Sequence, residues 1–488
     1  MDPPFFFTIP FGMTPMVQAN PDLQTRPHKW PVFSIVASGV FLSTMDSSMV
    51  NVALPSIMRS FDAPLIQVQW VVLIYLLSIS VTLLLWGIAA DRFGMHVIYL
   101  IGVGTYASGA LACFWSPSLL LLIFCRCIEG LGGAMMMSSG PAIIRDVFPR
   151  HQIGKGLGLV GIATSMGLMS GPVVSGVLIT HFSWRAIFLA GVLVSLIILI
   201  SGYRILRQPG VLSVPGEKRL FDWKGALLWA TLVSAVMLFA HFFMELNPSG
   251  KVIGFSGIAL LITLFIWAER TRKSSILPLH LFAKSYYHIG LITAALSFGA
   301  LFVVLILMPF YLDYIKGMAA DYIGLAMMAV PITLVIVSPT AGFLYDRIGS
   351  RYLTTLGLGL SFIALLLLSQ LSSDSTLADI CWRLALVGMG QSIFLAPNTA
   401  SLLSRIGDTD AGVTSGLLAT SRNLGMLAGA AFGGITFAAW FGYFSGGDEI
   451  RNFVPAQTHF FISALQATFL CTALISLIAA VISWQREK

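Results

Sequence analysis

Apolar stretches about 20 residues long, the length that crosses a bilayer's hydrocarbon core, follow one another along nearly the whole chain, with short polar joints between them. They fall near 31–53, 66–88, 97–115, 119–142, 157–180, 185–204, 224–246, 252–269, 288–311, 322–344, 353–371, 379–403, 412–442 and 460–484. Hydrocarbon offers backbone N–H and C=O groups no water partner, so a spanning segment must bond internally as a helix or close with others into a barrel. Barrel strands alternate apolar and polar positions. These stretches are continuously apolar, so the pattern predicts fourteen transmembrane helices and an all-α integral membrane protein.

Two of the joints are copies of each other. Gly87-x3-Asp91-Arg92-x-Gly94 returns as Gly342-x3-Asp346-Arg347-x-Gly349, 255 residues later. A second landmark travels with it, Arg126-x3-Gly130-x-Gly132 and Arg383-x4-Gly388-x-Gly390. The first motif follows span 2 and again span 10, which divides the chain into two six-helix bundles. The predicted organisation is a cytoplasmic lead-in at 1–30, a bundle at 31–206, a linker with an inserted hairpin (spans 7 and 8) at 207–287, and a second bundle at 288–485. A long membrane protein with an internal repeat is the usual plan of a secondary transporter, with its substrate site between the repeats.

Composition agrees. The chain is 57% hydrophobic and 10% charged, against roughly a quarter charged in soluble chains. Its formal charge of +7 does not form the basic patch of a nucleic-acid binder, because the Lys and Arg residues are scattered through short joints. They form a topology signal instead. Twenty lie on the side of the termini and six on the other (Arg59, Arg185, Lys251, Lys316, Arg383, Arg451), with Arg126 and Arg422 inside spans. Under the positive-inside rule both termini are expected in the cytoplasm. No Lys or Arg precedes Arg26, so the lead-in lacks the basic start of a cleavable signal peptide. The five cysteines, Cys113, Cys125, Cys127, Cys381 and Cys471, lie in apolar spans without CxxC spacing, and neither disulfide nor metal is expected.

Three motifs carry a family resemblance. Gly87-Ile-Ala-Ala-Asp91-Arg92-Phe-Gly94 puts a carboxylate and an arginine at a membrane exit, where the arginine can reach a neighbouring helix; the bland reading is a topology marker. Gly167-x3-Gly171-Pro172-x2-Ser175-Gly176 in span 5 places small residues at helical spacing, which lets backbones pack closely, beside a proline that bends the helix. Span 1 reads Met45-Asp46-Ser47-Ser48-Met49-Val50-Asn51-Val52-Ala53-Leu54-Pro55. Together these resemble the major facilitator superfamily, and within it the fourteen-span drug:H⁺ antiporter branch (EmrB/QacA-like). The resemblance implies the major facilitator fold, with two six-helix bundles plus an inserted two-helix hairpin. It makes Gly87, Asp91, Arg92, Gly94, Gly342, Asp346, Arg347 and Gly349 a cytoplasmic gate, and Gly167, Gly171, Pro172 and Gly176 an antiporter motif. Met95 and His96 stand where the family's loop carries further basic residues, which implies a weaker or pH-sensitive latch. Ser175 stands at a usual glycine position.

A charge near mid-membrane costs about 2.5–3.5 kcal/mol on insertion scales, so Asp46 is expected to face a cavity, a partner or a proton. A poorly solvated carboxylate suits proton exchange; the alternative is a structural Asp held by neighbouring Ser and Asn groups. Arg126 and Glu129, at i and i+3 in span 4, share a helix face and can neutralise each other. Arg126 matches the family's proton-relay position, while Glu129 replaces the more usual Gln, either as an added titratable group or as a plain ion-pair partner. Asp46, Arg126 and Glu129 are therefore the proton-coupling candidates. Asp46, Asn51, Tyr75, Asp313, Gln391 and Asn398 are the candidate substrate cavity, and Arg422 needs a partner across the bundle. Trp70, Phe302, Met327 and Met328 are cavity or lipid-facing bulk. His241 and Glu245, in the inserted hairpin, are peripheral on this reading.

No phosphate loop, catalytic triad or metal cluster is written in the chain, so it is not expected to be an enzyme, and no cofactor is expected beyond a proton gradient. The resemblance implies a monomeric transport unit in a bacterial inner membrane, exchanging H⁺ for a lipophilic, cationic small molecule. The alternatives are a dedicated metabolite exporter and a non-transporting sensor. A periplasmic adaptor protein stays open; nucleic acid is not an expected partner.

Overall fold

The computed structural model describes residues 29–149, 152–207, 223–243, 246–271, 279–406 and 411–486. The proposed lead-in, most of the linker before the hairpin, and Glu245 lie outside them. Every regular element among the described residues is helical. Fourteen helices are long and apolar enough to span: α1 Lys29–Phe61, α2 Leu65–Ala90, α3 Met95–Phe114, α4 Leu119–Val147, α5 Leu159–His181, α6 Ala186–Leu206, α7 Gly225–Phe242, α8 Pro248–Thr271, α9 Ser285–Ile315, α10 Ala320–Tyr345, α11 Ser350–Leu368, α12 Leu377–Ser404, α13 Val413–Ser445 and α14 Pro455–Trp484. An even number of crossings returns the chain to the end where it began. That end, which also carries the two Asp-Arg loops, is called the loop end below, and the other the remote end.

The repeat is visible in the packing. α1 packs on α5, α2 on α4, α3 on α4 and α3 on α6; in the second half α9 packs on α13, α10 on α12, α11 on α12 and α11 on α14. Each pairing recurs eight helices later. Apolar side chains gain little by leaving lipid for protein, so small residues that admit close backbone approach decide where membrane helices cross. Gly102 and Gly132 make the α3–α4 crossing, and Gly357 and Gly390 make the α11–α12 crossing, with backbone of the partner helix where a Cβ would stand. Prolines sit inside α1 and α9 (Pro55, Pro309) and inside α4 and α12 (Pro141, Pro397) at matching places.

The hairpin α7–α8 lies outside this pairing. α7 packs on α2 and touches α13, so it straddles one seam between the halves. Trp229 donates to the Ser80 carbonyl at 3.1 Å, and Trp70 donates to His241 at 3.0 Å. His241 is thus a docking contact between hairpin and first half.

Candidate functional site

Arg126 organises the centre of the first half. Its Nη1 donates to Asp46 Oδ2 at 2.7 Å and to Glu129 Oε2 at 2.9 Å, while Nε donates to the Val71 carbonyl at 3.0 Å. The guanidinium lies 4.1 Å from the Tyr75 ring centre, and the Tyr75 hydroxyl donates to the Ser43 carbonyl at 3.0 Å. The Cys113 thiol donates to Glu129 at 3.6 Å. Arg126 and Glu129 are fully enclosed and Asp46 nearly so. Glycine makes room for this: Gly109 of α3 abuts the Glu129 backbone, and Gly130 abuts Tyr75. The cluster joins α1, α2, α3 and α4 and holds one cation for two carboxylates. Arg126 Nη2 and Glu129 Oε1 make no hydrogen bond, so the arrangement has both a donor and an acceptor in reserve.

Of the sequence candidates, Asp46, Tyr75, Arg126 and Glu129 come together. The other cavity candidates do not join them. Asn51 is buried on α1 with both amide atoms unbonded. Gln391 is buried in the second half, where its Oε1 accepts from Ser297 at 2.6 Å and its Nε2 is unbonded. Asn398 packs inside the second bundle, donating to the Gly290 carbonyl at 3.2 Å and accepting from Arg486. Asp313 sits at the remote end in a π-helical turn, Tyr311–Ile315, ion-paired with Arg59. Arg59 is 13 residues beyond Asp46 in the chain, about 20 Å along a helix. One cavity lined by all six therefore does not form; they are spread over both halves and both ends because helix rotation, which a residue list does not contain, sets where each faces.

Sequence reasoning missed Arg59 and Arg486, which were counted only as topology charges. Arg486 is 1% exposed against Asn398. Burial and the nearby Arg405 guanidinium lower its pKa to about 10, so it stays charged at neutral pH. Nothing in sequence distinguished either residue from the other terminal cations. Among the cysteines, the signal for Cys113 was its apolar span, which does not reveal a carboxylate beside it.

The two ends differ. At the remote end the halves are in contact: Gly176 of α5 lies on Ala320 and Asp321 of α10, and Gly324 of α10 lies on the Pro172 carbonyl. Thr180 accepts from the Asp321 N–H at 3.2 Å, Gln69 reaches the Ala430 carbonyl at 3.1 Å, and Arg59 pairs with Asp313. A cavity of about 220 Å³ in this seam is lined by Val52, Ser56, Arg59, Thr180, Asp313 and Ala320. The antiporter-motif glycines divide their work, since Gly167 and Gly171 pack on α1 within the half. Ser175, at the usual glycine position, donates to the Met49 carbonyl at 2.8 Å.

At the loop end, Gly87 and Gly342 have no atom within 4 Å of where a Cβ would stand. No other helix approaches closely at these two glycines in this conformation. Gly94 and Gly349 instead close helices at φ of 98° and 86°, a backbone that favours glycine. Arg92 and Arg347 are exposed, each over a neighbouring phenylalanine, and neither forms an ion pair among the described residues. The side chains of Asp91 and Asp346 lie outside the description.

Comparison with known proteins agrees with this architecture. The chain matches the Major Facilitator Superfamily over residues 36–271 and 290–488. It is 31% identical over 412 residues to the riboflavin transporter RibZ of Clostridioides difficile, covering 84% of this chain and 88% of that one. It is 29% identical to the multidrug resistance protein Stp of Mycobacterium tuberculosis, covering 82% and 74%. The inward-facing crystal structure of a bacterial homolog of the human lysosomal transporter Spinster superposes with a TM-score of 0.67 at 14% identity, over 94% of this chain and 97% of that one. The chain belongs to the major facilitator superfamily of transporters.

Proposed function

We propose that this superfamily member is a proton-coupled exporter of small lipophilic compounds, of the fourteen-span drug:H⁺ antiporter branch, in the inner membrane of a bacterium. The loop end faces the cytoplasm, as the distribution of Lys and Arg supports. The conformation described above then has its outer end shut.

One observation carries the reading: a single guanidinium nitrogen serves two enclosed carboxylates. Two carboxylates and one guanidinium leave one negative charge in a poorly solvated place, and one proton neutralises it. Asp46 belongs to α1, whereas Arg126 and Glu129 belong to α4. A proton on Asp46 weakens the tie between those helices. α1 also carries Arg59, half of the outer ion pair, and packs on α5, which meets α10 across the seam. Proton loading from outside thereby bears on the helix that closes the outer end. Loss of the proton to the cytoplasm restores the tie and resets the transporter for the next molecule. Each elementary charge moved is worth about 2.3 kcal/mol per 100 mV, enough for one or two protons to drive accumulation.

The family resemblance implies cationic substrates, which an unpaired Asp46 carboxylate would attract. With Arg126 bound to it, that carboxylate no longer offers an open negative charge, and the substrate's charge has to be read elsewhere. A second reading, a dedicated metabolite exporter, is favoured by Arg422, a membrane cation without a carboxylate partner among the described residues; the likeness to a riboflavin transporter supports a metabolite as cargo.

The test is uptake of ethidium and of fluorescein into everted vesicles under an imposed pH gradient, for the parent and Asp46→Asn at equal abundance. Gradient-driven uptake of either dye that disappears in the variant supports the proposal. Uptake indifferent to the gradient, or unchanged in Asp46→Asn, sinks it.

A further inference from the structure

Arg422 lies nine residues into α13, about 14 Å along the helix from its start. Its Nη2 donates to the Thr399 hydroxyl of α12 at 2.7 Å, and its guanidinium lies 5.5 Å from the Phe298 ring centre of α9. Its Nε is shielded from solvent and unbonded. Among the described residues it has no carboxylate partner. The acids of this half whose side chains are described, Asp313, Asp321, Asp374, Asp379, Asp448 and Glu449, all belong to the remote end.

A cation inside a membrane bundle ordinarily pairs with an anion or marks a substrate pathway. Packing does not require it here. Gly425 and Gly429 of α13 cross α9 as Gly167 and Gly171 of α5 cross α1, and the residue matching Arg422 in that register is Thr164. The first half makes the same crossing without a charge. A second donor stands nearby in the same bundle: Gln391, eight residues before Thr399 on α12, is tied through Oε1 to Ser297, the chain neighbour of Phe298, and its buried Nε2 is unbonded. Two donors lacking acceptors and one aromatic ring thus stand along the α9–α12–α13 face.

We infer that this face binds the anionic group of the exported molecule, so that the substrate class is small organic anions with an aromatic or apolar body. The inference rests on the exporter reading above. Arg422 supplies the charge, and its side chain is only partly buried. Gln391 donates to a further oxygen, and Phe298 backs the apolar body. The proton site and the substrate-charge site then occupy different halves of the molecule.

The test uses the purified full chain and two xanthene dyes of similar body and opposite charge, fluorescein and rhodamine 6G, with binding read by fluorescence anisotropy against protein-free micelles. The parent is expected to bind fluorescein in preference to rhodamine 6G. Arg422→Gln should weaken fluorescein at least about tenfold without weakening rhodamine 6G, Arg422→Lys should recover part of the loss, and Gln391→Leu should cost about threefold. A thermal-unfolding scan of each variant shows that it is folded, and Gln391→Leu keeps the proposal testable if Arg422→Gln is not. Preference for rhodamine 6G, no fluorescein binding by the folded parent, or unchanged affinity in Arg422→Gln overturns the inference. Binding is read without a gradient. Asp46→Asn that binds fluorescein, with a parent that shows no gradient-driven uptake, would therefore sink proton coupling and leave this site standing.

Discussion

The two halves of this transporter share their helix packing and differ in their buried charge. α3 and α4 cross on Gly102 and Gly132, and α11 and α12 on Gly357 and Gly390. Yet the first half encloses a guanidinium bound by two carboxylates, whereas the second holds Arg422 against a hydroxyl and a ring. Small residues at crossings are dictated by backbone approach and so recur with the scaffold. Buried ion pairs are dictated by what each half must hold, and among the described residues the Arg126 cluster does not recur in the second half. The lesson is that a repeat duplicates architecture and leaves each half free to carry its own chemistry.

The sharpest way to break that comparison is to remove each arginine in turn. Arg126→Leu leaves two buried carboxylates without their cation and is expected to destabilise the protein by about 3–5 kcal/mol, read by thermal unfolding and membrane abundance. Arg422→Leu, which removes a cation with no carboxylate partner among the described residues, is expected to be neutral or stabilising. Equal losses from the two would show that Arg422 also holds the fold together.

Next in size is the seam at the remote end. Gly324→Leu drives a side chain into the Pro172 backbone, with an expected cost of about 1–3 kcal/mol against that closed end. The population should shift about 5- to 150-fold toward the state closed at the loop end. A cysteine placed at Thr180 in the variant should then react faster with a membrane-impermeant thiol reagent. Gly87→Leu, with open space around it in this conformation, should leave the reactivity low.

Arg59→Ala removes a partly exposed ion pair, worth about 0.2–1 kcal/mol. The same cysteine assay should show a shift below about fivefold, shrinking further in high salt. A shift as large as that of Gly324→Leu would make the ion pair, rather than backbone contact, the main closure. The smallest effect is expected at the hairpin. Trp229→Phe loses one bond to the Ser80 carbonyl, about 0.6 kcal/mol, and should lower the unfolding temperature slightly while leaving dye preference unchanged. A change in dye preference there would draw the hairpin into the transport path.

Much of this fold was legible in sequence. Each apolar window became a helix, although several run further than the window. α1 extends to Phe61 and α9 to Ile315, because polar residues such as Arg59 and Asp313 continue a helix into the seam where they find each other. The candidate site was legible only in part. Asp46, Arg126 and Glu129 announced themselves as charges in apolar spans, where their energetic cost demands a reason. Their convergence on one nitrogen was not readable, nor was the separation of Asp313, Gln391 and Asn398 from them.

The sequence by itself determined the number of crossings, the twofold repeat and the identity of the membrane-embedded charges. Hydrophobicity and spacing are properties of the chain, and the bilayer reads them locally. Only the tertiary structure decided that Asp46 meets Arg126 across 80 residues of chain, that Arg59 closes on Asp313, and that Arg422 meets no carboxylate among the described residues. Those outcomes depend on the rotation and crossing of helices distant in sequence, which close backbone contacts at glycine set and which no local pattern encodes.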